Sequence, residues 1–125
     1  MKILIRPDHR ALAEALRRRV LEGPGETPPE LRQASAKRAA GGTATKAPFD
    51  DLARQIGEAA HRVTDAQVSD VLTAAGSEKA TFEIIAAAAL GAGLLRWEQA
   101  MKVLDEATRV CLKLTVATAS PTACS

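Results

Sequence analysis

The sequence predicts an all-α fold, on three observations. Apolar residues recur at spacings of three and four along successive segments, helix-capping signals stand in front of several of them, and the composition is rich in Ala. There is no Tyr, one Trp (Trp97) and two Phe (Phe49 and Phe82). Small side chains let helices approach closely but bury little area each. With 125 residues, 46% hydrophobic and 26% charged, the chain is the size of one domain. A protomer so short of large apolar groups gains burial by packing against copies of itself, so a homo-oligomer is expected.

The first helix is expected after Pro7-Asp8, with Asp8 as cap and Leu12, Leu16 and Val20 as its apolar stripe. Gly23-Pro24-Gly25 ends it. Thr27 and Glu30 then read as a capping box around Pro28-Pro29, opening a helix to about Ala40. Leu31 is the only large apolar residue of this second helix, which predicts a peripheral element. Gly41 to Thr45 reads as a loop. Phe49, Leu52 and Ile56 form one stripe on a third helix that starts near Pro48 and ends near His61, with Asp50 and Asp51 at its positive end.

The clearest local signal follows. Thr64 and Gln67 make a capping box, and Val63 with Val68 the hydrophobic staple around it. Val68, Val71 and Leu72 form the buried side of this fourth helix, which Gly76 closes. Ser77 caps the last helix, read from about Glu78 to Thr108 and weakened at Gly91-Ala92-Gly93. Its segment Phe82 to Leu90 is nearly apolar all round, so it is expected to be enclosed by other helices or by partner subunits. Residues 1–110 are read as a single domain and 111–125 as a C-terminal tail, with no internal repeat.

Charge and cysteine usage exclude several functions. The net charge is +2, but residues 1–47 carry ten Lys/Arg against five Asp/Glu and residues 48–125 seven against ten. Arg17-Arg18-Arg19, flanked by Leu16 and Val20, reads as a solvated helix face rather than a phosphate-binding arm. Cys111 and Cys124 lack the two-residue spacing of a redox pair and belong to no metal-ligand cluster, so neither a metal nor a cofactor is expected. No apolar run reaches the roughly twenty residues of a membrane span, and the start MKILIRPDHR has too short an apolar stretch for a signal peptide. A cytoplasmic protein without membrane attachment is expected.

Gly25-Glu26-Thr27-Pro28-Pro29-Glu30-Leu31, His61-Arg62-Val63-Thr64-Asp65 with Val68, Gly76-Ser77, and Phe82-Glu83-Ile84-Ile85 with Ala87 to Gly93 and Arg96 occur in this order. Together they resemble the carboxymuconolactone decarboxylase and alkylhydroperoxidase D-like (AhpD-like) family over about residues 20–104. The resemblance implies an all-helical fold whose helical pair packs across subunits in trimers or larger rings. Members with peroxidase activity carry Cys-x-x-Cys followed by His. This chain has no such motif, so it cannot form the intramolecular disulfide that closes the peroxidase cycle.

Three residues are candidates for other chemistry. His61, at a helix end, has the side chain of a general base near neutral pH, or of a cation capping helix carbonyls. Glu83 lies in the most enclosed helix, where a carboxylate needs a partner. It is either a buried acid of raised pKa or one half of a structural salt bridge. Arg96 is thirteen positions on, too far to meet Glu83 within one helix at about 1.5 Å per residue, but reachable from an antiparallel copy.

Three functions compete: an oligomeric assembly module without peroxidase activity, an enzyme acting on a small acidic molecule through Glu83, His61 and Arg96, and a helix-turn-helix reader of nucleic acid across Thr64 to Ile85. The last is disfavoured because residues 78–90 hold one Lys and no Arg, Asn or Gln to reach bases or phosphates.

Overall fold

The computed structural model describes residues 7–118. Five α-helices and one 3-10 turn account for the regular structure, with no strand among the described residues: α1 (His9–Glu22), α2 (Pro29–Ala39), α3 (Phe49–Ala59) with the turn Ala60–Arg62, α4 (Asp65–Ala75) and α5 (Glu78–Thr118). The chain divides into two compact units, Met1–Leu94 and Leu95–Ser125, and α5 contributes to both.

The caps explain most helix starts. Asp8 accepts from the amides of Arg10 (3.0 Å) and Ala11 (3.1 Å) in front of α1. Before α4, the Thr64 hydroxyl accepts from the Gln67 amide at 3.2 Å while the Gln67 side chain accepts from the Thr64 amide at 3.0 Å, and Gly76 closes the helix at φ 91°. Ser77 accepts from the Ala80 amide at the start of α5.

In the first unit, Phe49, Leu52, Ala53 and Ile56 of α3 meet Ala39 of α2, Val71 of α4, and Ile84, Ala88 and Ala92 of α5. Leu52, Val71 and Ile84 are fully buried, each adding about 1.5–3 kcal/mol of apolar burial. Leu21, Ala36 and Ala87 form a second cluster.

The second helix is central, contrary to its expected peripheral place. It packs on both α1 and α3, and buries Arg32, Ser35, Ala36 and Ala39. The reason is its lack of bulk. A methyl group at Gly57 of α3 would overlap the Ala39 carbonyl, and one at Gly91 of α5 would overlap the Ala36 carbonyl. Backbones thus meet where side chains would normally interdigitate. Gly91 is the price of that contact in helix propensity, and α5 continues through Gly91-Ala92-Gly93 without a break.

Other expectations need correction. Leu12 and Leu16 are exposed, and α1 is anchored instead by Leu21 with half-buried Val20. Leu72 is exposed as well, leaving Val71 and half-buried Val68 on the inner side of α4. Phe82, expected to be enclosed, is 67% exposed. The last helix runs ten residues past Thr108, through Cys111 and into the segment expected as a tail, since the weak propensity of its β-branched residues lowers helix stability without breaking the helix. Residues 119–125 of that expected tail lie outside the described residues.

By length and composition α5 is also apolar enough to cross a membrane, its best stretch having a mean hydropathy of 1.3. This differs from the expected lack of any such run, since Ala and Gly count as apolar without contributing bulk. Of that stretch, 44% is buried inside the protein.

Candidate functional site

Of the three candidates, Glu83 has the most defined surroundings. Its carboxylate accepts from the amides of Glu26 and Thr27, each at 2.8 Å, and from the Thr27 hydroxyl at 2.6 Å. The partner that an enclosed carboxylate requires is therefore the loop entering α2. Two successive amides and a hydroxyl converging on one anion make a small nest, just ahead of the positive end of a helix.

Gly25 is part of the arrangement. A Cβ there would lie 2.5 Å from Glu83 Oε1, so the loop approaches this closely only because residue 25 has no side chain. Ser77 fastens the same loop from the other side, donating to the Glu26 carboxylate while it caps α5. The Thr27-Glu30 capping box is thus corrected: Pro28 is the N-cap, no side chain caps α2, and the Thr27 hydroxyl is turned to Glu83.

These bonds fix the charge state of Glu83. The Thr27 hydroxyl, opposed by desolvation and aided by the two amides and the positive field of Arg32, holds the carboxyl below its usual pKa. Each of these donors favours the ionised form of the carboxyl over the neutral one.

Arg32 was not singled out by sequence, yet it is 3% exposed and central to the same region. Its guanidinium donates to the carbonyl of Val20 at 2.6 Å and to that of Gly23. Both belong to the last turn or cap of α1, where carbonyls lack helical partners and a cation is favoured. Gln33 adds a longer bond to Leu21 O at 3.4 Å. This role was not legible in the sequence, because it depends on Gly23 being extended, with φ −68° and ψ 167°, so that α1 has no left-handed cap of its own to satisfy those carbonyls.

His61 is not brought to Glu83. His61 is exposed on the 3-10 turn and shares no hydrogen bond or ion pair with Glu83, and Arg96 is an exposed residue of the second unit. A depression of about 250 Å³ between α2 and the 43–45 loop is lined by Glu30, Gln33, Lys37 and Thr45 among others, and by none of the three candidates. Its rim is held by Asp50, which pairs with Arg38 at 2.8 Å and accepts from the Thr45 amide at 2.9 Å.

No three His, Cys, Asp or Glu gather in a metal-holding group among the described residues. Cys111 is not a free thiol. Compared with known proteins, the chain matches no family model, no curated protein and no solved structure.

Proposed function

We propose that this chain is a non-catalytic, self-assembling helical domain, a diverged AhpD-like module without the redox pair, whose last helix holds subunits together. One observation carries the reading. Beyond Leu94, α5 presents Val103, Leu104, Val110, Leu112, Leu114 and Val116 as exposed side chains, and scattered single apolar residues are ordinary on a surface whereas a run of this kind marks an interface.

The state of Glu83 supports the same choice over acid–base catalysis on a small acidic molecule. Both carboxylate oxygens already accept hydrogen bonds from the 26–27 loop, and another negative charge beside an ionised carboxylate is repelled.

Sedimentation of the purified chain tests the proposal, with a dimer or larger species expected at micromolar concentration. A monomer there would refute it. Thiol-dependent peroxide reduction is expected to be absent in the same preparation, and turnover would refute the loss of the peroxidase cycle.

A further inference from the structure

Resting on the assembly reading, we propose that the second unit pairs with a second copy of itself as an antiparallel two-helix seam, in a register fixed by Glu106 and Lys113. Ala100, Val103, Ala107, Val110, Leu114 and Ala117 recur at alternating spacings of three and four along α5. This is the period that keeps one stripe facing a partner helix. All six are exposed, Val103 at 66%, Val110 at 57% and Leu114 at 51%.

The stripe matches its own reverse. With two copies running in opposite directions, Ala100 faces the partner's Ala117, Val103 the partner's Leu114, and Ala107 the partner's Val110. The twofold axis repeats each layer once. Every layer is apolar throughout, and no polar residue enters the stripe.

Charge selects this direction. Glu106 directly precedes Ala107, and Lys113 directly precedes Leu114, so both lie on the same edge of the stripe. Both are exposed. Seven residues, or about 10 Å of helix, separate them, too far for a pair within one helix. In the antiparallel register Glu106 meets the partner's Lys113, and Lys113 meets the partner's Glu106. Parallel pairing would bring residues on opposite edges of the stripe together, so that Glu106 would face Cys111 of the partner subunit rather than a lysine. The charge complementarity therefore points to a second copy of this chain in one orientation.

The experiment is a charge swap in the full chain, read as the self-association constant by sedimentation equilibrium at low and high salt. Glu106→Lys and Lys113→Glu each replace two attractive contacts by two repulsive ones, and each should weaken association by about tenfold at low salt. Combining them in one chain restores both attractions, so the double variant should recover to near the wild-type constant. Added salt should shrink the differences. If the chain self-associates but the single variants match wild type, or the double variant is weaker than either, the antiparallel register is wrong while the assembly reading stands. A monomeric wild-type chain overturns both. Circular dichroism of each variant keeps a folding failure distinct, since these exposed substitutions should leave helicity unchanged.

Discussion

The two units of this chain differ in whether their apolar residues form a core. In the first, Leu52, Val71 and Ile84 are fully buried at the centre with Ala or Gly at the closest helix contacts, while Leu12, Leu16, Leu72 and Phe82 stand exposed around that core. In the second, large side chains such as Val103, Leu104, Leu112 and Val116 stand exposed. On the proposed assembly reading, these exposed groups are the ones a partner subunit buries. Stability of the first unit and association of the second should therefore respond to different substitutions.

The strongest way to break the first half of the comparison is to add volume where backbones touch. Gly91→Ala should destabilise the protein by about 2–3 kcal/mol, because the Ala36 main chain must move, lowering the melting temperature by roughly 10 °C. Gly93→Ala, two residues along, meets nothing within 4 Å. It should stabilise by up to about 1 kcal/mol through helix propensity. Opposite signs at the two positions, measured by thermal melts, would confirm close backbone packing as the reason for Gly91; equal signs would refute it.

Removing volume should act similarly. Leu52→Ala empties a fully buried site and should cost about 2–5 kcal/mol in denaturant unfolding. Leu104→Ala, in the exposed second unit, should leave unfolding of the first unit within about 0.5 kcal/mol of wild type.

A smaller effect tests the polar knot. Glu83→Gln should destabilise by about 2 kcal/mol at neutral pH by weakening charge-assisted bonds to Glu26 and Thr27. The sign with pH follows from the lowered pKa of Glu83. Its contribution is present above the unfolded carboxylate pKa and is lost as pH falls through the folded value. Wild type and Glu83→Gln should thus differ most above about pH 5 and converge in acid; a gap that widens in acid would mean that the carboxyl is held in its neutral form.

Local signals were legible in the sequence, and long-range ones were not. The Thr64-Gln67 box, the Asp8 cap and the Phe49, Leu52, Ile56 stripe depend on residues within one or two turns, and each is found as expected. Thr27 was misread because a hydroxyl ahead of a helix can serve its own helix or a distant carboxylate, and Glu83 is 56 residues away. The demand that Glu83 have a partner was visible from its apolar neighbours; the identity of that partner was not. The central place of α2 was hidden for a similar reason. Hydrophobic periodicity reports large side chains, whereas α2 earns its place through Ala36 and Ala39 lying against glycines. The exposure of Leu12, Leu16 and Phe82 has the converse cause, since an apolar side chain states a preference for burial without naming what covers it.

The most direct test of the proposal that the second unit forms the interface is Val110→Asp, examined by sedimentation and circular-dichroism thermal melting together. The account predicts that wild type self-associates at micromolar concentration, and that Val110→Asp is monomeric yet keeps the helicity of the first unit. A wild-type monomer, or a Val110→Asp chain that assembles as wild type does, would contradict it.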